Sequence, residues 1–429
     1  MPPSHGATSQ ATAHATSAHP NLRIDANRLW AGIMESARIG PGRAGGLRRL
    51  ALSDSDREVR DLFVRWCREA GCTVAVDAMG NIFARRPGTE DDLPPVLVGS
   101  HLDTQIAGGR FDGILGVLAG LELVRTLNDA GITTRRPIEI VNWSNEEGAR
   151  FQPPMSASAV FAGVQPLEWG LARADADGLL FGDELRRIGY AGEAPCGGRA
   201  VDAYFELHIE QGPVLDAQEI QVGVVTGSYS VRGLNVAVHG ETAHTGPTPM
   251  AKRRNALVGA AMLIVAANEV GWAYDREEGK STASRIEVWP NLAGILPDFA
   301  KVTIDFRHPT EAGVERMLAD FKAAFAHCTD RAQVRLEITD SWTFGREPFD
   351  PACIGLVRDA AHALGYSTLD MASQAGHDAY YLSRMAPTAM IFCPCENGIT
   401  HNEAENCRIE DIIPAANVLL HAALARADR

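Results

Sequence analysis

Four stretches of this sequence set histidines and carboxylates where apolar runs end. In PVLVGSHLDTQIAGGRFDG the run stops at His101, Asp103 follows, and Asp112 comes after Gly108 and Gly109. In PIEIVNWSNEEGARF the apolar run delivers two adjacent acids, Glu146 and Glu147, and in AYFELHIEQGP it delivers His208, Glu210 and Gln211. The fourth stretch, TAMIFCPCENGITHNEAEN, carries His401. Strand ends are where open α/β sheets bind ligands. Paired carboxylates there can divide the work of a metal-assisted hydrolysis, one coordinating an ion and one moving a proton. Asp103 is placed to accept the second imidazole N–H of His101 and fix its tautomer, and Gly108 and Gly109 let the loop fold back. A plainer alternative has His101 capping a strand, Asp112 capping the next helix, and Glu146 with Glu147 forming a solvated acidic turn. Recurrence of the pattern on successive strands counts against it. Three histidines with Asp112 and Glu147 make five N/O donors, too many for one open tetrahedral zinc site. They suit two divalent ions bridged by a carboxylate, typically about 3.5–4 Å apart. With no cysteine beside these positions, Zn is the first choice, and Mn or Co also suit.

The other histidines sort by context. His5, His14 and His19 fall in MPPSHGATSQATAHATSAHP, a small, polar stretch read as a disordered tail over residues 1–20. His244 and His377 lie in the glycine-rich turns AHTGPTP and QAGHDAY. His239, His308, His327, His362 and His421 sit in plain strand or helix contexts.

The elements that must position these residues alternate between strand and helix, which predicts an α/β fold with a doubly wound central sheet. From Gly227 the order becomes β-α-β-β-α-β, the succession of a ferredoxin-like α+β sandwich. The expected organisation is therefore a catalytic, metal-binding domain formed by 21–226 and 342–429, with a ferredoxin-like domain inserted at 227–341. A chain of 429 residues suits two domains. Its net charge of -14 excludes a nucleic-acid footprint, which needs surplus Lys and Arg. No apolar run is read as approaching membrane-span length. The eight cysteines, without paired zinc-like spacing, point to reduced thiols in a cytoplasmic enzyme.

SHLDT, GGRFDG, NEEGARF, ELHIEQGPVL, GETAHTGPTPM and AGHDAYYLSRMAPTAMIFCPCENGITHNEAE together resemble the signature blocks of the hydantoinase/carbamoylase amidases. That family includes N-carbamoyl-L-amino acid hydrolases and β-ureidopropionases, with allantoate amidohydrolase as a close relative, in the dinuclear aminoacylase-type metallopeptidase clan. The resemblance covers nearly the whole chain after the tail. It implies that Asp112 bridges two ions, with His101 and His208 on one and Glu147 and His401 on the other, and that Glu146 is the general base. It also implies a lid and dimerisation role for the inserted domain, with His244 reaching in from the partner of a homodimer to polarise the carbonyl oxygen. Arg307 would grip the carboxylate of a small-molecule substrate, for which paired guanidinium donors are suited. Gln211 would hold the ureido end, and His377 would line the carboxylate side or stabilise its turn. The implied reaction is cleavage of the ureido C–N bond of an N-carbamoyl amino acid to amino acid, carbon dioxide and ammonia. Allantoate or an N-acyl amino acid is the alternative substrate, and a binding protein without turnover is the alternative class. One departure bears on the substrate. The family's PN-x-x-N-V-I-P reads PNLAGILP here, so Pro290 and Asn291 match while Gly294 replaces the second Asn, an amide contact whose loss would weaken substrate orientation, widen the pocket, or be made good by water or Asn291. FQPPMSAS likewise departs from the family's FxPxMxGS.

Overall fold

The computed structural model describes residues 19–429, so the expected tail lies outside the described residues but for its last two positions. The chain divides into two compact units. One comprises the residues up to Thr226 with Phe349–Met371 and Gly376–Arg429; the other comprises Gly227–Pro348 with Ala372–Ala375.

The strands, in chain order, are β1 (Thr73–Val76), β2 (Ile82–Arg86), β3 (Val96–His101), β4 (Ile138–Trp143), β5 (Ala203–Ile209), β6 (Val222–Ser228), β7 (Ser230–His239), β8 (Lys280–Trp289), β9 (Phe299–His308), β10 (Arg335–Phe344), β11 (Thr368–Ser373) and β12 (Thr388–Cys393). The large sheet has the order β1-β2-β4-β3-β5-β12-β6-β11. Its centre is parallel, β4, β3, β5 and β12 running together, whereas β2 pairs antiparallel with β4, and β6 with β12; β11 at the edge follows β6 in the same direction, Val222 bonding to Ser367 and Tyr229 to Ser373. The expected doubly wound sheet is thus a mixed one, and the alternating pattern that suggested it belongs to the parallel centre. β6 and β11 are additions that the strand-helix rhythm does not announce.

β3, β4, β5 and β12 are buried along their whole length. They read as continuous apolar runs for that reason, as parallel strands covered on both faces do. The helices Ile114–Asp129, Pro351–Ala363 and Ile409–Ala427 pack on them. Each Leu, Val or Phe buried there contributes ~1.5–3 kcal/mol. The helix Asp54–Glu69 is capped by Ser53, whose side chain accepts from the Asp56 N–H.

The second unit is an antiparallel sheet in the order β10-β7-β9-β8, with its own apolar core. β10 continues to Phe344, paired with Val231, so the boundary expected after 341 falls inside a strand. Its helix Ala256–Ala273 corrects another expectation. Eighteen residues with Glu269 as their one charge are long and apolar enough to cross a membrane by length and composition. Ala256, Gly259, Ala260, Leu263, Ala267 and Val270 of that helix are buried in the unit's core, whereas Leu257, Val258, Val265 and Trp272 are exposed.

Candidate active site

β3 ends on His101 and β5 carries His208, both 1% exposed. Each ring is pinned through Nδ1 to a main-chain carbonyl, His101 to Asp103 and His208 to Ile209, both at 2.9 Å. These carbonyls accept an Nδ1–H, which leaves both Nε2 atoms as acceptors on the Asp112 side, that of His208 taking the Gly113 N–H at 3.2 Å. The Asp103 carboxylate, expected in that role, is 3.9 Å from the ring. It accepts instead from the backbone N–H groups of Glu146 and Glu147, at 3.3 Å each. Burial pushes the Asp103 carboxyl up to about 7, against the pull of His101.

Asp112 caps nothing: the helix Ile114–Asp129 begins at Gly113 without a side-chain cap. Gly113 has φ 71°, and a Cβ there would lie 2.3 Å from the His101 ring, so only glycine fits. Gly108 and Gly109 are not left-handed turn residues. They are required by close approach, since a Cβ would meet Thr104 at 2.9 Å and Glu405 at 2.0 Å respectively.

Asp112 Oδ1 lies 3.1 Å from His208 Nε2 and 3.8 Å from His101 Nε2. Its Oδ2 lies 3.4 Å from His401 Nε2, which is 3.3 Å from Glu147 Oε2. Two triads result, His101–Asp112–His208 and Asp112–Glu147–His401, each with donor atoms within 4.8 Å of one another. Glu147 is steered by Gln105, whose N–H and Nε2 reach its two oxygens at 3.0 and 2.9 Å. Glu146 belongs to neither triad, and its Oε2 stands 3.4 Å from His101 Nε2. Burial, then the charges of Asp378, Glu147, Asp103 and Asp112, raise its carboxyl well above the usual range.

The donor set fits divalent cations on physical grounds. Lone-pair atoms of imidazole and carboxylate face each other at these distances, and they repel unless a positive charge lies between them. Without an ion, protons serve. Burial opposes a charge on His208 and His401, yet contact with Asp112 for the one and Glu147 for the other lifts both to about 9.

Gln211, at φ 59°, donates Nε2–H to Asp112 Oδ2 at 2.9 Å, while its Oε1 is buried with no hydrogen-bond partner. Glu210 turns away and accepts from the N–H groups of Val214 and Leu215. His377 is buried against His208, ring centroids 4.5 Å apart, and burial holds it neutral, far below its ordinary pKa. Three site residues escape sequence reasoning. Glu206 is buried near His208 and His377 and accepts from Ser100, Tyr204 and the Ala379 N–H. An acid two residues before His208 on an all-buried strand was its available signal. Thr400 and Glu405, beside His401, reach the Asp112 loop.

His244, Asn291 and Arg307 belong to the second unit. His244 Nδ1 accepts from the Gly246 N–H at 3.0 Å, and its backbone bridges Ile295. Asn291 is exposed and precedes Gly294, which has φ 90° and open space where a side chain would be. Arg307 pairs with Asp305 through Nε and Nη2, at 3.0 and 2.9 Å, and donates Nη1–H to the Gln374 carbonyl.

Residues 97–425 match the model of peptidase family M20/M25/M40. The chain belongs to this family. Within M20/M25/M40 it falls among the hydantoinase/carbamoylase amidases, and it is a hydrolase. An N-carbamoyl-L-amino-acid amidohydrolase of Rhizobium meliloti is 47% identical over 95% of this chain and 98% of its own. A second, from Geobacillus stearothermophilus, is 36% identical over 93% and 98%. The crystal structure of a hydantoinase/carbamoylase family amidase from Burkholderia vietnamiensis superposes with a TM-score of 0.91 at 49% identity, covering 96% of this chain and 99% of that one. M20 enzymes are metal-dependent, and the clusters that could hold an ion here are the two triads and the group Glu206, His208 and His377.

Proposed function

We propose that this hydrolase cleaves the ureido C–N bond of N-carbamoyl amino acids. The observation that carries the reading is the pair of triads sharing Asp112, with Glu146 beside them and in neither. His101, Asp112 and His208 would hold one divalent ion, and Asp112, Glu147 and His401 the other. When bound, the ions supply Lewis-acid activation of water and of the ureido carbonyl. Glu146 takes the proton of the attacking water and delivers it to the amino nitrogen as the C–N bond breaks. Asp103 keeps Glu146 and Glu147 in register through their backbone amides. The unpartnered Gln211 Oε1 is an acceptor for the terminal ureido NH2, a group that N-acyl substrates lack. The balance is R–NH–CO–NH2 plus water giving R–NH2, carbon dioxide and ammonia.

The second unit fits a ferredoxin-like lid and dimerisation domain. In this reading Arg307 exchanges its Asp305 partner for the substrate carboxylate, His244 of a partner subunit polarises the carbonyl, and Asn291 contacts the substrate. The exposed Leu257, Val258, Val265 and Trp272 on its helix, with Ile286 and Trp289 on β8, supply apolar surface for a homodimer. Eight free cysteines suit a reducing, cytoplasmic location.

The test is ammonia release by protein reconstituted with Zn2+ or Mn2+, over N-carbamoyl-L-amino acids, N-carbamoyl-β-alanine and allantoate, with N-acetyl amino acids scored by free amine. Turnover of the carbamoyl amino acids is expected. Turnover of allantoate or N-acetyl amino acids alone would overturn the assignment, as would silence with two ions bound per chain.

A further inference from the structure

The turn that carries His401 is held by two acids that no donor triad includes. Glu403 accepts from the N–H groups of Arg43, Ala44 and Gly46, at 2.9 Å for Arg43. Glu405 is 1% exposed, and its Oε1 accepts from the N–H groups of Phe111 and Asp112, at 3.0 and 3.1 Å. Its Oε2 lies 3.2 Å from Thr400 Oγ1, which is also 3.2 Å from Asp112 Oδ2. The Asp112 amide is therefore held by Glu405 directly, and Thr400, whose one hydroxyl proton serves either carboxylate, stands between the Glu405 and Asp112 side chains. The base of the turn is closed separately. The Glu396 N–H donates to the Asn406 carbonyl, and Asn406 Oδ1 accepts from Arg110 at 3.0 Å.

This arrangement does more than fold a loop. Asp112 and His401 are far apart in sequence and come from different strand connections. Their oxygen and nitrogen must each be placed to within a few tenths of an ångström of the ideal ligand distance for one ion to touch both. Glu405 contacts the backbone of one and stands in the same turn as the other, and Gly109 is a glycine because the Glu405 side chain fills the space of its Cβ.

We propose that Glu405, acting through Thr400 and the Phe111 and Asp112 amides, is a positioning residue that sets Asp112 against His401 and so fixes affinity at the Asp112–Glu147–His401 triad. The inference rests on the two-ion reading above, and its failure can be told from the failure of that reading.

The experiment is a competitive Zn2+ titration of the full-length protein against a chromophoric chelator, for wild type, E405A, E405Q and T400V, with folding followed by circular dichroism. Wild type must bind two ions; if it does not, the two-ion reading fails first. Given two ions, E405A weakens the looser one about 10–100-fold while the tighter one shifts much less. E405Q keeps an acceptor for both amides and places its NH2 on Thr400, so its affinity stays within a few-fold of wild type. At saturating Zn2+ the loss in E405A falls on kcat, with KM within about twofold. An E405A protein that binds both ions like wild type overturns the proposal. If E405A does not fold, T400V decides: weakened binding of the looser ion supports the role, and wild-type binding overturns it.

Discussion

The two triads share Asp112 and differ in almost everything else. His101 and His208 sit on central parallel strands, 1% exposed, with Nδ1 locked on the carbonyls of Asp103 and Ile209. His401 sits on a turn at φ 50°, its side chain 49% exposed, with its ring aimed only by what it faces. On the inner side, sheet register places the donors, and any distortion works against hydrogen-bonded strands and a packed core. On the outer side, placement is borrowed from Gln105, Thr400 and Glu405, polar contacts that span long stretches of sequence. The lesson is that one cluster of donors can rest on a rigid half and a tethered half, and that the tethered half should yield first.

Several substitutions would break or sharpen that contrast. The largest effect belongs to the shared residue: Asp112→Ala should abolish turnover and leave neither ion bound after dialysis, measured by metal content. Retention of both ions would remove Asp112 from the centre of the comparison. Glu146→Gln should lower kcat by about 10²–10⁴-fold with two ions still bound, because Glu146 stands outside both triads; full activity would end its assignment as base. Next, His401→Ala should keep one ion, on the strand-end side. If it sheds both as readily as Asp112→Ala does, the halves are not independent. Gln105→Ala should weaken only the outer ion, by about 10–100-fold, in a chelator titration. The smallest effect concerns the metal-free protein. His208 is raised from 6.5 to about 9 when folded, burial working against the raise and the Asp112 contact for it. Its contribution to stability is complete below the unfolded value and fades as pH rises through the folded one. The melting temperature of chelator-treated protein should therefore drop a few degrees between pH 6.5 and 9, while Zn2+-loaded protein, with an ion in the proton's place, holds steady.

The strand-end histidines and acids that converge on Asp112 were visible in sequence because continuous apolar runs stop at them, and a run that stops at a ligand-type residue is a local signal. The partners that hold them were not. Glu206 contacts Ser100 and Ala379, and Glu405 contacts Phe111, pairings set by the order of strands in the sheet, which no local pattern encodes. Asp103 was identified as an orienting residue and given the wrong object, since sequence spacing does not distinguish its carboxylate from its carbonyl. β6 and β11 escaped because their runs lie against the change of pattern near Gly227 and behind the helix Pro351–Ala363. The membrane-length apolar helix escaped because Asn268 and Glu269 break its apolar run before it reaches that length.

The pairing of β12 with β5 carries a consequence for how the protein is made. The two strands run parallel across an intervening stretch that includes the whole second unit, whereas β3, β4 and β5 need only the first half of the chain. Contacts of such sequence separation form slowly, and synthesis presents the N-terminal half first. A chain emerging from the ribosome can thus assemble His101, Asp112 and His208 long before His401 exists. In the two-ion reading, the strand-end triad would be complete, and open to an ion, well before the triad that needs His401.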